Sequence, residues 1–281
     1  SVSDLTIVSY LSSLKSSLPF VNFFDGFRTS HELSKINILE KEDIEDIIDY
    51  KKINEFRNRG LSINNKVKGT AMMEDVYFQM SEVRNKDYDK LPDIVNDYMK
   101  KINKKTGKSY APFEYYGSKK ASKVIVAMGS VCETIREVID DLNGDIGLIE
   151  VHLYRPFSKK YFFDVLPKTV TKIAVLDRTK EPGSVGEPLY LDVVSMFACK
   201  DSSPLIFGGR YGLSSKNTTP AMIKGVFDFL DVKECHTNFT VGIDDDVTNL
   251  SISYDKNFNI IIPNQTSFKV FGYGSDGMVS A

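Results

Sequence analysis

"ASKVIVAMGSVCETIREVIDDLNG", residues 121–144, decides the fold. An apolar run, Val124 to Met128, meets a small-residue turn at Gly129 and Ser130. An amphipathic helix follows and is closed by Asn143 and Gly144. This is one βα unit, and the same grammar continues down the chain. "DIGLIEVHLYRPF" (145–157) is the next strand and "SKKYFFDVLPK" (158–168) a short helix. "TKIAVLDRTKEPG" (171–183) is a third strand with a charged exit loop, and "GEPLYLDVVSMFACK" (186–200) a helix. "SPLIFGGRYG" (203–212) is a fourth strand ending in glycines, and "TTPAMIKGVFDFL" (218–230) a helix capped by Thr218 or Thr219. Four alternations predict an α/β fold with an open, twisted, mainly parallel sheet.

Toward the N-terminus, residues 3–18 carry apolar side chains at helical spacing, and "PFVNFFDGF" (19–27) reads as a buried strand running into a loop at Asp25 and Gly26. "EKEDIEDIIDYKKINEFRNRG" (40–60) begins acidic and ends basic before Gly60, the pattern of one helix with a favourable dipole and a glycine stop. From 61 to 120 the polar content rises, and "KKINKKTGKSY" (100–110) reads as a basic surface stretch leading across a boundary near residue 105. Beyond Leu230, "FTVGIDDDVTNLSI" (239–252) has strand composition interrupted by an acidic run, and "TSFKVFGYG" (266–274) is the first strand of a third unit.

With 281 residues, 42% hydrophobic and 26% charged, the composition is that of a globular protein with room for one large domain or two ordinary ones. Its 36 basic and 38 acidic residues leave a formal charge of −2, so no global field recruits nucleic acid or an anionic membrane surface. The longest apolar runs fall far short of the roughly 20 residues that span a bilayer. We expect a soluble chain without a targeting signal, cytoplasmic, or in a hydrogenosome-like organelle for a protist source. Cys132, Cys199 and Cys235 are odd in number and lack CxxC spacing, which argues against a disulfide framework, a zinc site or an iron–sulfur cluster built from this chain alone.

Ligands of open parallel sheets meet the loops at the carboxyl ends of the strands, here "MGSVCE", "YRPFS", "LDRTKEPG" and "GGRYGLSSK". Asp177, Arg178, Lys180 and Glu181 either bind an anion or neutralise one another by local salt bridges, and the structural reading is preferred. Arg210 and Lys216 near glycines suit a grip on phosphate or carboxylate, with a turn and an interface arginine as the bland rival. Gly129 and Ser130 can aim backbone N–H groups at an anion, with a plain tight turn preferred. His31, His152 and His236 show no metal spacing. His152 reads as a satisfied core or interface histidine and Cys132 as a packing residue.

The motifs "FFDGFRTSHE" (23–32), "LYRPFS" to "LDRTKEPG" (153–183) and "GGRYGLSSK" through "FTVGIDDDVT" (208–248) resemble, in order and over practically the whole chain, the central part of the pyruvate:ferredoxin (flavodoxin) oxidoreductase family. The resemblance implies a much longer chain using thiamine diphosphate, Mg²⁺ and iron–sulfur clusters. With coenzyme A it would convert pyruvate to acetyl-CoA and CO2. Electrons would pass to ferredoxin, flavodoxin or, in a protist member, a fused NADP reductase. It implies that residues 1–104 are the C-terminal half of a pyrimidine-type domain, 105–261 a domain similar to the transketolase C-terminal domain, and 262–281 the first strand and loop of a coenzyme A domain. Partners would be the other domains of the polypeptide and a second copy in a homodimer. The family's coenzyme A loop falls on Gly274, Ser275, Asp276, Gly277 and Met278, the last standing where a threonine is usual. The thiamine diphosphate motif and cluster cysteines are not in this sequence, so the segment is expected to hold no cofactor and to be inactive alone. Two rivals are weighed. A non-catalytic transketolase-like interaction module would lack a thiamine motif and cluster cysteines in its parent reading frame. A nicotinamide site at Gly272, Gly274 and Gly277 fails for want of a complete βαβ unit.

Overall fold

The structure is a computed structural model and describes residues 1–26, 28–60, 71–198, 200–262, 265, 266, 268, 269 and 271–273. The predicted strands are present as β2 (Lys123–Ala127), β3 (Ile146–Val151), β4 (Lys172–Asp177) and β5 (Leu205–Arg210), flanked by β1 (Phe113–Gly117) and the two-residue β6 (Phe239–Thr240). Their order across the sheet is β1-β3-β2-β4-β5-β6. The β2, β3, β4, β5 and β6 pairings are parallel, and β1 runs antiparallel beside β3 with Tyr115 opposite Ile149. No sequence signal was read for β1, a five-residue strand inside a polar stretch with a single fully covered residue, Phe113.

Both faces of the sheet are covered, which is why its strands are apolar at successive positions. Ile125 and Ala127 of β2 face a core shared with α7 (Val131–Leu142) and α10 (Pro220–Asp231). Val124 and Val126 face the opposite core, shared with α8 (Lys159–Val165) and α9 (Pro188–Phe197). There Phe162 sits edge-on to Phe113, Phe163 and Phe197. Local signals hold at the ends of the helices. Asn143 closes α7 in the left-handed region at φ 43°, and Thr219 caps α10 by accepting from the Met222 N–H, with Pro220 in the first turn.

The described residues of 1–106 form a helical layer: α1 (Val2–Ser16), α2 (Arg28–His31), α3 (Lys41–Glu45), α4 (Tyr50–Asn58), α5 (Glu74–Val83) and α6 (Asn85–Thr106). Its core is smaller. Val8 and Leu11 of α1 pack with Leu91, Val95, Tyr98, Met99 and Ile102 of α6, and Leu153 beyond β3 joins them.

The stretch 19–24 is not a strand: it finds no edge to pair with among the described residues, and Val21, Phe23 and Phe24 are 84%, 60% and 58% exposed. Residues 40–60 form two helices instead of one, because Asp49 caps α4 by accepting from the Lys52 N–H and so starts a new helix. "KKINKKTGKSY" is a basic surface stretch as expected, and its residues 100–106 form the last two turns of α6, whose buried positions recur at helical spacing and which is closed by Gly107 at φ 70°. In the tail, Thr266, Phe268, Lys269, Phe271, Gly272 and Tyr273 join no strand. The rest of that predicted strand lies outside the described residues. No described helix is long and apolar enough to cross a membrane.

Candidate functional site

The carboxyl edge of the sheet is where the sequence placed its candidate loops, and there the charged side chains are turned on one another. Asp177, the last residue of β4, is buried and accepts hydrogen bonds from the N–H groups of Leu189 (3.0 Å) and Tyr190 (3.1 Å) in the first turn of α9. Burial outweighs those two bonds and, with Glu187 and Asp192 nearby, pushes its carboxyl up to about 6. Glu187 accepts from the Glu181 N–H at 2.7 Å and pairs with Arg210 Nη1 at 3.1 Å. The two side chains are 5% and 10% exposed, and Arg210 also donates to the Asn238 carbonyl. The "LDRTKEPG" and "GGRYG" loops are therefore interlocked, and Arg210 is spent on Glu187 instead of a phosphate; among the described residues Asp177, Arg178, Lys180 and Glu181 do not form the local salt bridges expected, because Asp177 is held by backbone N–H groups and Arg178 by Asp25. Lys180 and Lys216 are exposed. In "YRPFS" the Arg155–Pro156 peptide is cis, and Arg155 reaches Asp192 at 2.7 Å.

The Gly129–Ser130 turn does receive an anion, and that anion is Asp25. Asp25 Oδ2 accepts from the Ser130 N–H at 2.6 Å, and Oδ1 lies 3.1 Å from Arg178 Nη1. Arg178 in turn donates from Nε to the Gly212 carbonyl at 2.9 Å. Gly129 has φ +83°, and a Cβ there would lie 2.7 Å from Asp25 Oδ2, so both the backbone conformation and the close approach require glycine. Burial alone would raise the Asp25 carboxyl. The hydrogen bonds from Ser130 and the charge of Arg178 outweigh it and hold the group below the usual carboxylate range.

A second cluster straps β1, β3 and α7. Glu150 takes Arg136 Nη2 at 2.7 Å and His152 Nε2 at 3.2 Å, and Arg136 also reaches Glu114 at 3.2 Å. The other ring nitrogen of His152 faces the Ala111 carbonyl at 3.0 Å, and its ring stands edge-on to Tyr110. Burial pulls the imidazole down, but Glu150 overcomes it and leaves its pKa raised; the same bond and Arg136 leave Glu150 lowered. His152 is thus the satisfied histidine predicted. Cys132 is buried, and burial drives its thiol well above the ordinary range, as suits a packing residue.

Among the described residues no group of three or more His, Cys, Asp and Glu side chains could hold a metal ion. With Arg178 and Arg210 already paired, the described residues do not fit a thiamine diphosphate–magnesium site by themselves. An open groove of about 620 Å³ in the helical layer, lined by Ile47, Ile48, Tyr98, Lys101 and Lys104 among others, brings no catalytic groups together. Gly274, Ser275, Asp276, Gly277 and Met278 lie outside the described residues, as does Cys199. Sequence reasoning missed Asp25 and Glu150 as organisers. The available signal was a lone carboxylate within an apolar run, "FFDGF" and "GLIEVHL", where a charge needs a partner.

Comparison with known proteins agrees with this two-part arrangement. Residues 1–100 match the family described as pyruvate flavodoxin/ferredoxin oxidoreductase, thiamine diP-bdg, and residues 121–219 match pyruvate:ferredoxin oxidoreductase core domain II. The chain is 49% identical over 285 residues to the pyruvate-flavodoxin oxidoreductase of Enterobacter agglomerans, covering 100% of this chain and 24% of that protein. It is 46% identical over 289 residues to the pyruvate dehydrogenase [NADP(+)] of Cryptosporidium parvum, covering 100% of this chain and 15% of that one. A solved 2-oxoglutarate:ferredoxin oxidoreductase from Magnetococcus marinus overlaps 53% of this chain and 23% of its own, at a TM-score of 0.34 and 18% identity, and carries nothing further here. A match to a thiamine diphosphate-binding family followed on one chain by a match to an oxidoreductase core domain defines the class, a segment of a multidomain oxidoreductase. Within that class the chain belongs to the pyruvate:ferredoxin (flavodoxin) oxidoreductase family. It spans about a quarter of the length of the curated bacterial relatives it matches.

Proposed function

We propose that this chain is the central segment of an enzyme that oxidatively decarboxylates pyruvate with coenzyme A, giving acetyl-CoA and CO2. Two electrons pass to ferredoxin, flavodoxin or NADP. The observation that carries the reading is agreement along the entire chain with pyruvate oxidoreductases about four times its length. The self-paired carboxyl edge supports a scaffolding part for this segment: its arginines hold Asp25 and Glu187, leaving the reacting groups to be supplied by the rest of the polypeptide. In this reading thiamine diphosphate with Mg²⁺ and the iron–sulfur clusters sit on other domains, and coenzyme A contacts Gly274, Ser275, Asp276, Gly277 and Met278. The domain limits 1–104, 105–261 and 262–281, a homodimeric assembly and a cytoplasmic location belong to the same proposal. Pyruvate-dependent reduction of a viologen dye by the full-length protein, strictly requiring coenzyme A, is the expected result; reduction with 2-oxoglutarate in place of pyruvate would overturn the substrate. Calorimetry of the 281-residue segment with thiamine diphosphate and Mg²⁺ is expected to give no saturable heat. Micromolar affinity there would overturn the division of labour.

A further inference from the structure

We infer that Asp25 is a positioning residue, an internal anion that latches the loop at 19–26 into a cradle made by three carboxyl-edge loops of the sheet. The inference rests on the proposed function for its catalytic consequence, though not for the latch itself. The cradle has the chemistry of an anion site: the N–H of Ser130 at the start of α7, the guanidinium of Arg178 after β4, and a glycine at 129 that leaves room for a carboxylate oxygen. Gly212, after β5, orients Arg178 through its carbonyl. The ligand of this site is supplied from more than 100 residues away in sequence. Among the described residues the loop it belongs to has few other attachments. Leu18 and Phe20 pack on the helical core, and Asn22 donates to Thr6 Oγ1 at 2.6 Å. Val21, Phe23 and Phe24 face outward, with no strand pairing to hold them. One carboxylate thus decides where two exposed phenylalanines stand relative to the edge at which open parallel sheets meet their ligands. It also joins the segment matched by the thiamine diphosphate-binding family to the segment matched by core domain II.

The test uses the full-length protein with Asp25→Ala, the near-isosteric Asp25→Asn, and the Asp25→Ala/Arg178→Ala double variant. In Asp25→Ala, amide exchange at 18–26 should accelerate at least about tenfold and kcat should fall by a similar factor, as when one partner of a charge-assisted hydrogen bond is removed. Formate, a carboxylate small enough for the emptied cradle, should restore part of both; chloride at equal ionic strength should not. The double variant, lacking the guanidinium, should show no formate effect. Asp25→Asn keeps the shape and guards against a variant that fails to fold, and it should show the same losses. Unchanged exchange in both single variants would overturn the latch. Faster exchange with unaltered kcat would overturn the positioning role. Rescue by chloride equal to that by formate would overturn the cradle as a carboxylate site. Wild-type protein without pyruvate-dependent activity would sink the proposed function instead, with the exchange experiment still deciding the latch.

Discussion

Around the sheet, residues 113–252, the central strands are covered on both faces, and Arg178 and Arg210 at the carboxyl edge are paired with Asp25 and Glu187. Among the described residues of 1–106 a single small core between α1 and α6 carries the packing. Much of the remaining apolar surface there is open. Met73, Val76, Tyr77, Met80 and Val83 form a stripe at helical spacing along α5, all exposed, with Phe78 72% exposed beside them. Burial, and with it local stability, is distributed unevenly along one chain. The sheet half has the burial of a self-sufficient domain, and the helical half has the low local burial expected of a unit that opens first.

Phe162→Ala removes a fully buried ring at the centre of an aromatic cluster and should cost about 3–5 kcal/mol, read from urea midpoints. If the halves are separate units, exchange protection in α1 and α6 survives this change; simultaneous loss in both halves would break the distinction. Ile102→Ala, in the smaller core, should cost about 3 kcal/mol and lower protection of α1 and α6 while leaving β2 and β4 slow.

Acidity gives the next test. The Asp177 carboxyl is raised from 3.8 to about 6, so its protonated form is favoured by folding. The stability it contributes is fully present below 3.8 and is lost as pH rises through about 6. Asp177→Asn should flatten that part of the stability–pH curve, by on the order of 2 kcal/mol; an unchanged slope would show that the buried charge is relieved some other way. Thr219→Ala should cost about 1 kcal/mol through the lost cap of α10. Phe78→Ser, on the open α5 surface, should stay within about 0.5 kcal/mol. A larger loss there would mean that α5 is already covered in solution.

What was legible in the sequence follows the same division. From β2 through α10, strands buried on both faces produce apolar runs whose lengths and glycine ends announce themselves, so the α/β reading held. Thr219, Asn143 and Gly129 were readable because capping and turn chemistry are local. The reading of 19–27 failed because its outcome depended on a distant partner. "PFVNFFDGF" has strand composition, but a strand needs a neighbouring edge, and composition carries no information about whether one is present. The split at Asp49 turned on a carboxylate capping instead of continuing a helix. α6 was hidden by its lysines, although Leu91, Val95, Tyr98 and Ile102 keep helical spacing beneath them. Of the site, the loops were legible and their occupant was not, because Asp25 meets Ser130 only through tertiary folding.

Mechanically, α6 is a shaft. Its 22 residues make a rod about 33 Å long, and its far end is clamped. Asn103 donates to the Tyr110 carbonyl at 2.8 Å and accepts from the Tyr110 N–H at 2.9 Å, while the Tyr110 hydroxyl donates to Asp4 at 2.9 Å. Three residues further on the chain enters β1 at Phe113. These three hydrogen bonds tie the end of α6 and the start of α1 to the residue that leads into the antiparallel rim of the sheet. A longer linker inserted at 107–109 would uncouple the two halves without touching either core.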